Sequence, residues 1–317
     1  MPIIYLFLFL VPFITSLEGK NCKVDVGFGY RQDSFTWELA GPENKPPVLS
    51  RLTWRDLSMF EITADVKKIT QQNLYMRATG DVGWILNGKN RDSDFRLHHK
   101  TKRPEEYSRS DNDGGKGNVW DASAGLGFFL RGFWGKGCNF RWAPLVGYSI
   151  HLQNLKFFNG FKSIDLRQPE KAGHHIHHLD SSYDATWHGP WVGTDLYYHL
   201  NDCLTLTGSI EYHWMRFSAK GDWNLRNFTD DFHQQGNGQG VFANFGLGYA
   251  ILNGWYLGGQ FKYNYAWLRN GKDKVSFEVD VPTKHHPHKK VEVHAENKLR
   301  SVKWHSFSLL FTAGYNF

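Results

Sequence analysis

The sequence predicts an all-β fold, a transmembrane antiparallel β-barrel of about ten strands. Three observations lead to this prediction. Aromatic residues make up 16% of the chain, with 13 Trp and 24 Phe, although the mean hydropathy is only −0.51. Apolar residues recur at every second position in many separate runs, which is typical of strands with one face toward an apolar phase. Beyond residue 19, no segment approaches the ~20 apolar residues that a membrane helix needs.

The alternating runs justify the strands one by one. The last run places Leu309, Phe311, Ala313, Tyr315 and Phe317 on one face. Small or polar residues such as Gln260, Lys262 and Asn264 separate the apolar positions, so we expect small, polar side chains in the lumen and aromatic girdles outside. The other runs begin at Val24, Leu74, Trp120, Trp142, Leu204, Val241 and Trp255.

Short and long connections alternate along the chain, as periplasmic turns and extracellular loops do in bacterial barrels. The short ones are predicted at Lys68 to Asn73, Trp134 to Asn139, Leu200 to Cys203 and Leu252 to Gly254. The long ones are predicted at Gly41 to Ser50, Lys89 to Asn118, Asn159 to Tyr183, Asp222 to Gly240 and Asn270 to Leu299. Several runs exceed the ~9–11 residues needed to cross the bilayer, so we expect strand ends that project above it and line a cavity.

We assign residues 1–19 to a signal peptide and residues 20–317 to one barrel domain. Pro2 to Ile14 form an apolar run of signal-peptide length, and small residues follow it. No basic residue precedes Lys20, so a buried N-terminal strand is the alternative. The three cysteines, Cys22, Cys138 and Cys203, allow one disulfide and leave one thiol.

Two pairs of polar residues are candidates for chemistry. Asp92 and Asp94 are two apart, as are Asp231 and His233, so each pair shares one face of an extended chain. If both segments lie at the barrel mouth, an imidazole oriented by a carboxylate can take a proton from water, and the second pair can hold that water. The alternative is that these are ordinary solvated loop charges.

The chain resembles the omptins, ten-stranded outer-membrane endopeptidases. Ser50-Arg51-Leu52-Thr53-Trp54 is similar to their Ser-x-Leu-x-Trp, and Asp92-Ser93-Asp94-Phe95 is similar to their Asp-x-Asp-aromatic motif. Asp231-Phe232-His233 is similar to their Asp-x-His. The resemblance implies a catalytic set of Asp92, Asp94, Asp231 and His233, a polypeptide substrate and a need for lipopolysaccharide. The omptin acids that bind a basic residue have no match, because Thr229 and Thr36 or Trp37 stand there.

The aromatic strands also resemble the Protochlamydia outer membrane proteins, which implies a porin or a structural barrel without enzymatic activity. In that case inward Arg77, Asp81, Asp121, Glu211 and Lys262 are expected to pair as a plug of charges, because buried charges need partners. Adhesion through the long loops is a third hypothesis. In each case we expect an integral protein of the cell outer membrane with its long loops outside.

Histidines and basic residues concentrate in the long loops. His174, His175, His177 and His178 lie in the third, and His285, His286, His288 and His294 lie in the fifth. No accompanying ligand spacing supports a metal, so we expect no metal and no organic cofactor. Lys100, Lys102 and Arg103, with Lys284, Lys289, Lys290, Lys298 and Arg300, suit the phosphates of outer-membrane lipid or lipopolysaccharide. Nucleic-acid binding is disfavoured because the aromatics follow the strand period.

Overall fold

The computed structural model describes residues 22–131, 139–225, 228–281 and 289–317, without the side chains of 131, 228–231, 277–281 and 289–292. The proposed signal peptide and Cys138 lie outside these ranges. Within these ranges, helical structure consists of two three-residue 3-10 turns, Pro42–Asn44 and Pro169–Lys171. Among the residues described, no helix has the length and apolar character required to cross a membrane.

Twelve strands form one antiparallel sheet. They are β1 (Cys22–Leu39), β2 (Ser50–Ile69), β3 (Leu74–Leu97), β4 (Pro104–Asp113), β5 (Gly117–Phe128), β6 (Leu130–Arg131), β7 (Phe140–Asp165), β8 (His174–His199), β9 (Leu204–Asp222), β10 (Phe228–Ala250), β11 (Trp255–Val281) and β12 (Lys289–Asn316).

The sheet closes on itself because β1 pairs with both β2 and β12. Between β3 and β7, the strands β4 and β5 occupy one position, β4 along the upper part and β5 along the lower part. The short β6 pairs with the start of β7. The ring therefore has ten strand positions, which confirms the predicted all-β barrel.

The two ends of the barrel differ. The lower end carries both described termini and the tight turns after β2, β8 and β10, which confirms three of the four predicted short connections. The fourth, predicted at Trp134 to Asn139, lies outside the described residues except for Asn139. The upper end carries the other connections. The first of these, Ala40 to Leu49, is a loop as predicted.

Most of the predicted long loops are wrong, because those segments are continuations of strands. The β3–β4 hairpin turns within His98 to Arg103, and β7 and β8 approach each other to Asp165 and His174. Above the membrane both faces of a strand escape lipid, so the outward positions become polar and the alternating pattern disappears. The expectation that strands project above the bilayer is supported by lengths of 24 to 28 residues in β3, β7, β8, β11 and β12.

The outward face of the lower half is an apolar band with aromatic edges. Leu309 and Phe311 of the final strand are exposed there, as the sequence predicts. Tyr249 and Trp255 lie toward the lower edge of the band, and Trp84 toward its upper edge. The band also contains Val26, Phe28, Ile62, Leu126, Val146, Ile210, Phe245, Leu247, Leu257 and Phe261. A continuous exposed apolar belt of this kind fits the hydrocarbon layer of a membrane.

Ion pairs cross the lower lumen. Arg31 Nη1 of β1 lies 2.5 Å from Asp121 Oδ2 of β5, and Lys262 Nζ of β11 lies 2.7 Å from Asp81 Oδ1 of β3. These strands are not neighbours in the ring, so the side chains meet through the lumen.

Arg77 makes the third connection across the lower lumen. It lies on β3 and pairs with Asp195 on β8 and with Glu211 on β9. All five charges predicted to form a plug are therefore inward and paired, so this prediction is confirmed.

The upper lumen holds an aromatic core, which the sequence reading missed. Trp54 and Tyr183 have ring centroids 5.3 Å apart, and Trp187 and Phe217 are 4.6 Å apart. The core also includes Phe35, Trp37, Phe157, Phe232, Phe242 and Trp304. The expectation of small inward residues and purely external aromatic girdles is therefore wrong for this half. Outside lipid the barrel wall faces water, so its apolar side must be the inner one.

Breaking one pair that crosses the lumen should destabilise the barrel strongly. In Lys262→Met, Asp81 loses its buried cation, and we expect a loss of about 3 kcal/mol in the free energy of unfolding. Adding Asp81→Leu should recover much of this loss, because the Asp81 carboxylate is then no longer left without its cation. Denaturant unfolding in detergent, followed by tryptophan fluorescence, measures both. A single variant as stable as the parent would contradict this account.

Candidate functional site: a cleft at the upper end

A cavity of about 640 Å³ opens above the aromatic core. Its walls carry four carboxylates, Asp92, Asp94, Asp165 and Asp273, and two cations, Lys162 and Arg167. Trp37, Trp223 and Phe232 supply aromatic surface. The cleft is thus a concave site with an acidic wall and an apolar floor.

A bulge places the Asp92–Asp94 pair in the cleft. Along lower β3 the inward residues have odd numbers, ending with Ile85, but above the irregular pairing with β2 near Ser58 the inward residues have even numbers. Asp92 consequently pairs with inward Leu52, and Asp94 pairs with Ser50. The sequence correctly predicts that these two carboxylates share a face at the barrel mouth.

His233 does not join them. It is exposed, and its neighbours in the register, Lys220 and Lys274, are exposed as well. Phe232 and Gln234 on either side are buried and face inward. Asp231 lies on β10, but its side chain is outside the described part of the structure. The structure therefore brings Asp92 and Asp94 into one cleft and leaves His233 on the outer surface. The catalytic role of the four residues stays a prediction.

Asp273 is a cleft residue that sequence reasoning missed. It lies on β11, and only 3% of its surface is exposed. Gln234 Nε2 donates to its Oδ1 at 3.1 Å, and Asn297 Nδ2 donates to its Oδ2 at 3.2 Å. Tyr183 Oη in turn donates to Gln234 Oε1 at 2.7 Å. Burial, only partly offset by these amide donors, raises the pKa of Asp273 above that of an ordinary aspartate.

The opposite wall is held by local hydrogen bonds. Asp165 accepts the backbone N–H groups of Gln168 and Arg167 at 2.9 and 3.1 Å, and these bonds lower its pKa. Lys162 Nζ donates to Ser108 Oγ at 2.8 Å. Carboxylates therefore outnumber cations in the cleft, so it is suited to groups that donate hydrogen bonds or carry positive charge.

Comparison with known proteins places the chain in a family. Residues 25–317 match the model of the Protochlamydia outer membrane protein family. The chain belongs to this family. It is an outer-membrane protein with a β-barrel fold, as the sequence led us to expect. No curated protein sequence matches it significantly.

One solved structure supports the fold. The outer membrane protease OmpT from Escherichia coli matches with a TM-score of 0.74 and 12% identity, over 94% of this chain and 97% of that one. The translocator domain of the autotransporter NalP from Neisseria meningitidis matches with a TM-score of 0.37 and 13% identity, over 99% and 95% of the two chains. At these identities the likeness to OmpT extends to the barrel architecture and not to the activity.

A second concavity lies on the outer wall, above the apolar band. This outer groove has a volume of about 1000 Å³ and includes Tyr148, Trp214, Trp267, Arg216 and Arg269. Gly189 and Pro190 of β8 have no register partners on β9 beside it. The alternating apolar runs in the sequence predict that these aromatics face outward. No pattern in the sequence indicates that two arginines lie beside them.

The cysteines and histidines form no cluster among the described residues. Cys22 is buried, Cys203 is exposed, and both are free thiols, so no described cysteine pairs. Within the described ranges, no three His, Cys, Asp or Glu side chains are grouped to hold a metal ion. His285, His286 and His288 lie outside those ranges, and the expectation of no metal stays a prediction.

Proposed function

We propose that this protein is a closed, non-conducting outer-membrane barrel whose upper end is extracellular and displays the acidic cleft. The observation that supports closure is the set of ion pairs that cross the lumen, Arg31–Asp121, Lys262–Asp81 and Arg77–Asp195. Water and ions need a continuous path through a pore. Here a charged layer and an aromatic layer lie one above the other in that path.

The orientation follows from the unequal ends. Outer-membrane barrels carry short turns on the periplasmic side and their longer segments outside. The tight turns after β2, β8 and β10 lie at the lower end, together with the final residues. The cleft therefore faces the medium, where it meets extracellular ligands and not periplasmic ones.

Conductance measurement separates a closed barrel from a porin. Purified protein inserted into planar bilayers should give no stable current steps, because the paired charges hold the lumen shut. A known porin inserted into the same bilayers serves as the positive control. Reproducible single-channel steps from correctly folded protein would overturn the proposal.

A second candidate is a surface endopeptidase that uses the same cleft. One observation favours it, namely that Asp92 and Asp94 face the same cavity. Two carboxylates on one face can hold a water and accept its proton while a peptide carbonyl is attacked. Exposed His233 does not face that water in this conformation, so an active site with a histidine base requires β10 to shift its register near Phe232.

Peptide cleavage by variants tests the second candidate. If the protein is a peptidase, Asp92→Asn with Asp94→Asn should abolish cleavage of a peptide library in the presence of lipopolysaccharide. His233→Ala should lower cleavage by about 100-fold or more only if this histidine acts as the base. Lys100→Ala on a hairpin tip is the matched control. Absence of cleavage by the parent protein removes the peptidase hypothesis.

We also propose that anionic outer-membrane lipid, lipopolysaccharide included, contacts the outer groove. Arg216 and Arg269 lie just above lipid-facing aromatics, where headgroup phosphates are found. Arg216→Gln with Arg269→Gln should weaken the lipid binding followed by native mass spectrometry about 30-fold, since each arginine near the surface adds about 1 kcal/mol. Lys100→Gln with Lys102→Gln is the control. Unchanged retention in the groove variant would rule out this site.

A further inference from the structure

The upper rim is strongly basic on one side. We define the basic rim as residues 96–103, at the tip of the β3–β4 hairpin, and residues 166–178, at the tip of the β7–β8 hairpin. It contains six lysines and arginines, all exposed, and one carboxylate, Glu170. The six are Arg96, Lys100, Lys102, Arg103, Arg167 and Lys171. Six histidines, His98, His99, His174, His175, His177 and His178, lie among them.

The two tips form one surface. β4 pairs with β7 up to Ser108 and Asp165, directly below the tips. Between them the Tyr107 ring has the Arg167 guanidinium 4.3 Å from its centroid and the Arg96 guanidinium at 5.7 Å. Cation–π contact of this kind fixes the relative position of the two hairpins.

Neighbouring carboxylates neutralise only part of the rim. Glu105 Oε2 accepts from Arg96 Nε at 2.9 Å, and Asp165 is engaged by the backbone N–H groups of Arg167 and Gln168. Lys100, Lys102 and Arg103 follow one another with no acid between them. The tips therefore present a concentrated positive field toward the medium.

The rim is too far from the bilayer to serve the lipid headgroups that the sequence suggested for Lys100, Lys102 and Arg103. On β3 the apolar band ends at Leu86, twelve residues before His98. At ~3.3 Å per residue this is roughly 40 Å along the strand, or about 30 Å above the band for a strand tilt near 40°. Charges at such a height lie several Debye lengths from headgroup phosphates.

We propose that the basic rim is an extracellular binding surface for a sulfated polysaccharide. Lysine and arginine side chains bind sulfate oxygens by charge-assisted hydrogen bonds, and a linear polyanion can bridge both tips. Single-stranded nucleic acid fits less well, since the Tyr107 ring between the tips is already covered by the two arginines. The proposal depends on the extracellular orientation and not on catalysis or closure.

Heparin, as a sulfated probe, tests the proposal on the refolded full-length barrel in a zwitterionic detergent. Lys100→Gln, Lys102→Gln, Arg103→Gln and Lys171→Gln combined should weaken binding at least about tenfold at low salt, with a smaller effect at high salt. The matched control removes four lysines elsewhere on the upper end, by Lys45→Gln, Lys272→Gln, Lys274→Gln and Lys298→Gln. If both quadruple variants weaken binding equally, only net charge matters and the proposed site is wrong.

Further measurements separate the remaining outcomes. Desulfated heparin should bind much more weakly than heparin, and oligo(dT) of equal charge should bind more weakly too. Equal binding of the desulfated polymer, or tighter binding of oligo(dT), would overturn the assignment to sulfated polysaccharide. Because neither pore current nor peptide cleavage enters these measurements, they fail or succeed independently of both functions proposed above.

Discussion

Closure of the sheet is the constraint on which the rest of this molecule depends. Once β1 pairs with both β2 and β12, every inward side chain shares one narrow space, and each must find a partner there. In the lower half, where the wall is surrounded by lipid, the partners are opposite charges such as Lys262 and Asp81. In the upper half the outside is water, and the same space holds an aromatic core around Trp54 and Tyr183. The barrel thus combines the interior of a membrane protein with that of a soluble one.

The cleft shows how one local irregularity selects the chemistry of a site. Strands alternate strictly, so a single change of register exchanges the inward and outward sets. On β3 such a change brings Asp92 and Asp94 inside, whereas on β10 the alternation directs Phe232 and Gln234 inside and His233 outside. Asp273, which no motif marks, becomes a cleft residue because β11 runs far enough upward to place it beside Gln234 and Asn297.

The parts of the fold that could be read from sequence are those where lipid imposes a pattern. Leu309, Phe311 and the other members of the band alternate because one face meets hydrocarbon, and this revealed the strands, the tight turns and the paired charges of the lumen. Above the band this constraint ends. Segments such as Gly160 to Asp165 then look like loops although they pair as strands. Whether His233 faces inward or outward depends on the register of β10 alone. That register cannot be read from any periodic pattern in a single sequence.

The pairs across the lumen also constrain how the chain reaches its native state. Lys262 and Asp81 are 181 residues apart in sequence, and Arg31 and Asp121 are 90 apart. Neither contact can exist in a growing row of hairpins, since each requires distant parts of the sheet to curl toward each other. Contacts between residues so far apart in sequence have a large entropic cost of loop closure, and they are typical of slow, late folding steps. In an unclosed sheet these charges would be unpaired. We therefore expect the pairing of β1 with β12 and the ion pairs across the lumen to form together.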